Sequence, residues 1–464
     1  MKIQLFLFVI IAIVAISAQT DPCATGQASS ISQWGITFNF DKAYPCGKFV
    51  NGDYWVTPTT AGGKVVISSM LPAFTGTRNG WMANPNHPLN HGFDSEIGGW
   101  TASMVPALPY SASVNTSIVK AISEAGANHC NQPYTCLSTA AVLTVLAAPP
   151  PTGSFRPGYY GLPVNKKIYS SLNMQTALLP SFAPVADTPT LASLVTRFER
   201  VQLDHKKDWT GRDLHPHLNL PDYGSIIASD TGDAVLRLML NDPLSAKMPL
   251  LIQYVQAGID YWSMYNGGVT WPVDGGIFIG RKLPIAFAAV MLNDSAISAK
   301  LKLAGTQSFG EDGQIYYSTN ASMVLWGQEC DPDDYWDCAL TGAAQGTKDC
   351  RDPFGYIDGG IPGDLYQMCC TSQTWKATVL SQRLMPKVQC AFNSPLLLTY
   401  VDRWVSSGAH TLPDPYSLQR GGVLGPSRFP QFNGKSANDG YYSSSFAYNM
   451  WATYRATAPV TTCP

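Results

Sequence analysis

The chain has 464 residues, longer than a typical single domain, which predicts two domains or one large domain with an appendage and excludes a miniprotein held only by disulfides. With 45% hydrophobic and 13% charged residues it should fold around a core, and 30 Lys and Arg against 32 Asp and Glu give no field that favours nucleic acid or an anionic membrane. Beside so few charges, the 12 Trp, 22 Tyr and 18 Phe predict that some aromatic side chains lie on the surface.

Residues 1–18 have the pattern of a secretory signal peptide. Lys2 supplies one positive charge, residues 5–16 are apolar, and Ala18 offers a small residue for cleavage. The apolar run is too short to span a membrane, and no later stretch reaches the length of a span. We therefore predict a secreted, extracellular protein without a transmembrane anchor, with a lysosomal or vesicular lumen as the alternative.

Eleven cysteines follow this segment, at positions 23, 46, 130, 136, 330, 338, 350, 369, 370, 390 and 463. In an oxidising compartment they should form disulfides, and their spacing predicts a pair of Cys130 with Cys136 and several bridges within residues 330–390. The odd count leaves one thiol, which is either buried or forms an intermolecular disulfide. Three N-glycosylation sequons fit the same compartment: Asn115, Asn293 and Asn320.

The β-rich part is predicted to come first, over residues 19–148. Short apolar or alternating runs there are separated by Gly, Pro and Asn, and runs 53–57, 64–68 and 140–146 read as strands of a β-sandwich-like domain. A stiff Pro- and Gly-rich stretch over 149–174 is the predicted linker. Residues 175–464 are predicted to be mainly α-helical with a Cys-rich insertion at 326–370, so the fold class is α+β, multidomain and disulfide-bonded.

Helical periodicity dominates this second part. Apolar positions 191, 194, 195, 198 and 201 share one helical face, as do 251, 252, 255, 259 and 262, and also 397, 400, 401 and 404. Pro249 is expected in the first turn of the second of these helices. Four further helices are predicted at 233–240, 284–292, 374–385 and 443–453.

Helices joined by long loops, behind a secreted β-rich module, resemble the (α/α)-toroid polysaccharide lyases and glycoside hydrolases in their arrangement. The resemblance covers residues 175–457 and rests on architecture, without a matching sequence signature. It implies helical hairpins around a central cavity, with loops that form a cleft at one end. No residue role is transferred from the family.

The densest polar segment is 208–224, and three of the seven histidines lie in or beside it. Pro216 keeps the backbone extended, so His215 and His217 are predicted on one side, where they could bind a metal or flank a substrate. The segment supplies these candidates for catalysis or substrate binding: Trp209, Arg212, Asp213, His215, His217, Asn219, Asp222 and Tyr223. The alternative is a structural loop whose polar side chains satisfy backbone groups and cap the next helix.

A second segment, 265–282, is predicted to form a long loop between two helices. Its two glycine pairs let the backbone approach a ligand, and its aromatic and charged side chains could stack on it and bind it. The candidates are Tyr265, Asn266, Trp271, Asp274 and Arg281. The alternative assigns the glycines to turns and the basic residues to capping helix carbonyls.

Two more loops couple carboxylates to aromatic residues, as carbohydrate sites do. Segment 84–96 contributes His91 and Asp94, and segment 309–317 contributes Glu311 and Tyr316, although turn formation explains both segments equally well. The acidic run 331–337 could hold calcium but lacks the spacing of a helix-loop-helix calcium site, which favours a solvated loop. We predict no required cofactor and leave a divalent metal open.

These candidates fit three functions. A polysaccharide lyase needs a cation or amide to neutralise the uronate carboxylate, from Arg212, Arg281 or Asn266. It also needs a base to remove the C5 proton, for which the candidates are His215, His217, Tyr223 and Tyr265. A glycoside hydrolase needs paired carboxylates, drawn from Asp213, Asp222, Asp274 and Glu311.

The mixture of His, Arg, Asn and Tyr favours the lyase, and the predicted partner is a polysaccharide or glycan. The third alternative is a non-catalytic carbohydrate-binding or cell-wall/matrix protein. A serine hydrolase and the common zinc proteases lose support because neither Gly-x-Ser-x-Gly nor His-Glu-x-x-His occurs in the sequence. Nucleic acid is not an expected partner, since there is no basic stripe with interleaved aromatic residues.

Overall fold

The computed structural model describes residues 21–126, 130, 136–318, 323–326, 370–407, 442–459 and 461–463. Its first part contains eight strands: β1 (Gln27–Gln33), β2 (Ile36–Lys48), β3 (Tyr54–Val56), β4 (Val65–Leu71), β5 (Trp81–Ala83), β6 (Tyr110–Ala112), β7 (Thr116–Ser123) and β8 (Leu137–Val145). They form one curled sheet in the order β5-β7-β8-β3-β2-β4-β6, with β1 paired to β2. The sheet is mixed because β3 and β8 run parallel, whereas the other pairs are antiparallel. The three predicted strands are confirmed, and the sandwich stays a prediction.

The strands β7 and β8 are buried on both faces. Ile118 and Leu143 point into an apolar core enclosed by the curled sheet, while the alternate residues Val119 and Val142 join a second core with the helices. The alternation follows from the period of two in a strand. One face of the sheet therefore forms the base on which the helical part packs.

The second part is built mainly from helices: α1 (Leu191–Phe198), α2 (Gly224–Leu238), α3 (Leu244–Asn266), α4 (Lys282–Met291), α5 (Ser295–Lys302), α6 (Gly310–Gly313), α7 (Trp375–Leu384), α8 (Pro386–Phe392), α9 (Pro395–Ser407) and α10 (Ser445–Tyr454). A hairpin of β9 (Ile315–Ser318) and β10 (Met323–Trp326) lies between α6 and α7. In the described part of the chain, α3 packs against α1 and α4, and α2 packs against α7. A mainly helical second part is confirmed, and its closure into a toroid stays a prediction.

The predicted helices are all present, but the one predicted at 233–240 begins earlier, at Gly224, and ends at Leu238. Two other helices also need corrections to their ends. Pro249 lies inside α3 rather than in its first turn, because the helix begins at Leu244, directly after Pro243. The proline ring is on the exposed side, where the helix tolerates the loss of one backbone hydrogen bond. The second correction concerns α1, which ends at Phe198, so Val201 is buried outside the helix.

Residues 149–174 connect the two parts as a packed segment. Arg156 is fully buried, and its Nε lies 2.5 Å from Oδ2 of Asp53 in the β-rich part. Its Nη1 lies 2.9 Å from Oδ1 of Asp260 in α3. The pairing compensates the buried charges and joins the sheet, the segment and the helices through one side chain.

Three disulfides are described. Cys130 with Cys136 is confirmed, and Cys23 pairs with Cys46. Cys390 pairs with Cys463 rather than inside the predicted group 330–390, because tertiary packing brings the end of the chain against α8. Cys330, Cys338, Cys350 and Cys369 lie outside the described residues. Within the described ranges, no helix combines the length and the apolar character that crossing a membrane requires.

Candidate functional site

The first part of the site is a short 3-10 helix, Trp209–Leu214. It begins at Asp208, whose Oδ1 accepts a hydrogen bond from the Thr210 backbone at 3.0 Å. The Trp209 side chain is 53% exposed, which is unusual for the largest aromatic residue. The Arg212 guanidinium lies 5.4 Å from the centre of its ring, a cation–π contact that orients the indole.

A second segment meets this helix through an ion pair. Nη2 of Arg212 lies 2.7 Å from Oδ2 of Asp222. Tyr223 follows directly, at the start of α2, and its hydroxyl lies so close to Gly276 that a Cβ there would be 2.6 Å away. Only glycine fits under this hydroxyl, and Asp274 is two residues from the contact.

Contacts and adjacency in the chain link six sequence candidates, which we name the Trp209 face: Trp209, Arg212, Asp213, Asp222, Tyr223 and Asp274. Asp274 belongs to it through its loop, which meets Tyr223 at Gly276. Two carboxyl groups of the Trp209 face, those of Asp213 and Asp274, have raised pKa values. Burial raises the pKa of Asp274, and it also raises the pKa of Asp213, although the nearby Arg212 opposes that shift. A carboxyl group that keeps its proton to higher pH is suited to act as a general acid.

Beneath the Trp209 face lies a fully buried carboxylate, Asp204. Its Oδ1 is 2.8 Å from Nε2 of His215, and its Oδ2 is 2.6 Å from Nε of Arg281. Burial opposes ionisation of Asp204, but the charges of Arg281 and His215 outweigh burial and lower its pKa to about 2. The carboxylate is therefore ionised under ordinary conditions.

Both partners of Asp204, His215 and Arg281, also contact backbone carbonyl oxygens of the segments that carry the Trp209 face. Nδ1 of His215 lies 2.9 Å from the carbonyl oxygen of Pro221, next to Asp222. Both ring nitrogens of His215 therefore face oxygen atoms, one on the Asp204 carboxylate and one on the Pro221 backbone. Nη1 of Arg281 donates to the carbonyl oxygen of Ile277 at 2.8 Å, in the loop that carries Asp274. Asp204 thus fixes both segments that form the Trp209 face.

Sequence reasoning missed Asp204 because it lies just outside the dense polar segment, between Leu203 and His205. Its only signal was a single acidic residue in an otherwise apolar and basic stretch. His215 and Arg281, both predicted to be catalytic, are buried in its network, with exposures of 1% and 0%. In this arrangement their contacts hold the two segments of the Trp209 face in place, at Pro221 and at Ile277.

Two residues of the first polar segment point toward the sheet instead. Nδ1 of His217 lies 3.1 Å from Oε1 of Glu124, and its backbone N–H donates to Leu137. The buried Asn219 donates its side-chain amide to the carbonyl oxygen of Ala140 at 3.1 Å. Their contacts hold the segment on β8, and the structure does not place either side chain in the Trp209 face.

The aromatic candidates of the second segment pack in the core. The Tyr265 ring is 4.8 Å from that of Phe309, and Trp271 is fully buried, with its Nε1 donating to the backbone oxygen of Asp204 at 3.3 Å. Asn266 is exposed at the end of α3, where its Oδ1 accepts a hydrogen bond from Lys300 at 3.0 Å. The structure does not bring these three to the Trp209 face.

The remaining four candidates lie elsewhere. His91 is buried beside Phe93, and burial lowers its pKa to about 4, while the buried Asp94 accepts from the Glu96 backbone at 2.9 Å. Glu311 is buried, and its Oε1 accepts from the Gly280 backbone at 2.6 Å, which supports the loop of the Trp209 face from below. Tyr316 is half-buried in β9. Their roles in substrate binding stay predictions.

The described residues contain no group of three or more His, Cys, Asp or Glu side chains placed to hold a metal ion. The acidic run 331–337 lies outside the described ranges. Comparison of the chain with family models, with curated proteins and with solved structures finds no match in any of the three. The candidate site is therefore interpreted from its own geometry.

Proposed function

We propose that this is a secreted carbohydrate-active protein whose Trp209 face binds a polysaccharide chain. The observation that carries the proposal is the exposed indole of Trp209, held by Arg212 beside two carboxyl groups and a tyrosine. An aromatic surface of this kind can stack on the apolar face of a sugar ring, while carboxylates accept hydrogen bonds from its hydroxyl groups.

The reaction we favour is β-elimination on an acidic polysaccharide. In this scheme Arg212, oriented by Asp222 at 2.7 Å, neutralises the uronate carboxylate, and Tyr223 removes the C5 proton. The electron pair forms the new C4–C5 double bond as the C4–O bond breaks. Asp213 or Asp274 then gives a proton to the leaving oxygen, a role supported by their raised pKa values.

Glycoside hydrolysis is the second candidate, and the same two carboxyl groups favour it. A hydrolase uses one carboxyl group as a proton donor and a second as base or nucleophile. The raised pKa of Asp274, caused by burial, suits the donor. This mechanism would leave Tyr223 as a substrate-binding residue.

One assay separates these functions. The purified protein is incubated with a panel of uronate-containing and neutral polysaccharides, and ultraviolet absorbance of an unsaturated product is followed together with reducing ends. An increase in both ultraviolet absorbance and reducing ends supports the lyase. An increase in reducing ends without ultraviolet absorbance supports the hydrolase instead. Binding without cleavage would leave a non-catalytic binding protein, and the absence of both binding and cleavage would refute the proposal.

Variants connect the signal to the face. Trp209→Ala should weaken polysaccharide binding about two- to twelvefold, since an aromatic contact contributes about 0.5–1.5 kcal/mol. Tyr317→Ala is the matched control, because Tyr317 is equally exposed, at 53%, but lies in β9. For the lyase, Tyr223→Phe should reduce turnover about 10²–10⁴-fold. Tyr448→Phe, on the exposed side of α10, should have no effect.

We also propose that residues 1–18 direct secretion. The described disulfides are compatible with an extracellular protein. N-terminal sequencing of protein from the medium of an expressing eukaryotic culture tests this: a mature chain that starts near Gln19 is expected, and retention of the leader in a cell-associated protein would contradict it.

A further inference from the structure

The turn between α4 and α5, residues 293–295, separates two surface cavities. One has a volume of about 390 Å³ and extends toward α8, and the other has a volume of about 420 Å³ and extends toward residues 167–173. Both cavities are lined by Asn293, Asp294 and Ser295. We call these two cavities together the Asn293 groove.

The turn carries a glycosylation sequon, Asn293-Asp294-Ser295, whose asparagine and serine are both exposed. Asn293 is exposed and has a left-handed backbone with φ of 51°, and Ser295 is exposed as the first residue of α5. Asp294, between them, is turned inward, where its Oδ1 caps α5 through the Ala296 N–H at 2.9 Å and its Oδ2 accepts from Tyr169 at 2.7 Å. Anchoring of Asp294 therefore fixes Asn293 at the surface.

The sequon at Asn115 lies in a different setting. Asn115 is half-buried, its backbone N–H is bound to the Val145 carbonyl, and the required Ser117 is fully buried inside β7. The third sequon, at Asn320, lies outside the described residues. Of the two described sequons, Asn293 is the one that the fold leaves accessible.

The walls of the Asn293 groove supply a surface for sugars. Val290 and Ala391 give one cavity an apolar wall, and Ile168, which is 39% exposed, and the Tyr169 ring line the other. Cys390, in the same wall, is in a disulfide, so this surface belongs to a chain that folds in an oxidising compartment. Sugar rings stacked on these side chains would remove apolar area from water.

We propose that Asn293 carries an N-linked glycan whose first sugars lie in the Asn293 groove. In the modification, Nδ2 of Asn293 forms a bond to the anomeric carbon of an oligosaccharide carried on a lipid pyrophosphate. The bond from that carbon to the pyrophosphate oxygen breaks, and the amide nitrogen loses one proton. The inference depends on secretion but not on polysaccharide cleavage, so each can fail without the other.

The modification is tested on the full chain secreted from a eukaryotic host. Tryptic digestion releases residues 283–300, in which Asn293 is the only asparagine. Enzymatic deglycosylation in heavy-oxygen water should convert Asn293 to a labelled aspartate, which mass spectrometry detects. Ser295→Ala should abolish the label, whereas Ser295→Thr, which keeps the sequon, should retain it. An unmodified peptide from the secreted wild-type chain would overturn the proposal.

The position of the glycan is tested by lysine acetylation of the native glycoprotein before and after deglycosylation. Lys302 and Lys387 line the groove and have exposed side chains, and Lys64, exposed in the β-rich part, is the matched control. Acetylation of the two groove lysines should rise severalfold on deglycosylation while Lys64 is unchanged. Equal labelling before and after would mean that the glycan extends away from the groove and would overturn that part of the proposal.

Discussion

The buried carboxylate of Asp204 makes the strongest stability prediction. Replacement by Asn keeps the size of the side chain but removes the charge between Arg281 and His215, at 2.6 and 2.8 Å. Arg281 is 0% exposed, so its charge cannot turn to water for compensation. Loss of one partner of a buried ion pair costs about 3–5 kcal/mol, and we expect a decrease of this size in the free energy of unfolding for Asp204→Asn.

The assay is urea unfolding at neutral pH, followed by tryptophan fluorescence with the disulfides intact. Glu96→Gln is the control, because the Arg78–Glu96 pair is 3.3 Å long and its side chains are 30% and 39% exposed. Removal of a surface pair costs less than about 1 kcal/mol. If Asp204→Asn unfolded within about 1 kcal/mol of the wild type, the network would not hold the site as we infer.

The same variant has a pH signature. The pKa of Asp204 is about 2 in the folded chain against an ordinary value of 3.8. A lowered folded pKa stabilises the fold above the ordinary value, and that contribution is lost as the pH falls through the folded value. The stability difference between wild type and Asp204→Asn should therefore be constant above about pH 4 and shrink between about pH 4 and pH 2. A difference that stays constant down to pH 2 would contradict the assigned ion pair.

Three further predictions concern stability. Burial raises the pKa of Glu311 from 4.5 to about 7, so its contribution to stability is full below about pH 4.5 and is lost as the pH rises through about 7. Urea midpoints across this range should show a smaller slope for Glu311→Gln than for the wild type, with the remainder due to groups such as Asp230 and Asp233, and an unchanged slope would argue against the raised pKa. Gly80→Ala would place a Cβ 1.8 Å from the backbone oxygen of Gly92 and should cost more than about 3 kcal/mol of stability. Gly305→Ala is the control, because the space around Gly305 is open, and it should leave the thermal midpoint unchanged. Equal thermal midpoints for the two variants would refute the clash at Gly80. Cys463→Ser opens the bridge to Cys390, which spans 73 residues, and should lower stability by about 2–5 kcal/mol in calorimetry, an effect that must vanish under reducing conditions.

Part of the Trp209 face could be predicted from the sequence, and part could not. The polar segment 208–224 contains five of its six candidate residues and the ion pair of Arg212 with Asp222, since a short loop keeps residues that are close in sequence close in space. The contact of this segment with the loop that carries Asp274 is different. It depends on the close packing of Tyr223 on Gly276, which no local pattern encodes.

The sequence by itself determined the β-rich first part, the helices of the second and the Cys130–Cys136 bridge, because periodicity and short spacing are local properties of the chain. Only the tertiary structure decided that His215 and Arg281 meet on Asp204, and that Cys390 finds Cys463. Both are long-range contacts. A histidine or an arginine in a polar segment has the same sequence pattern whether it faces a substrate or a buried carboxylate, and the packing of distant elements selects between the two.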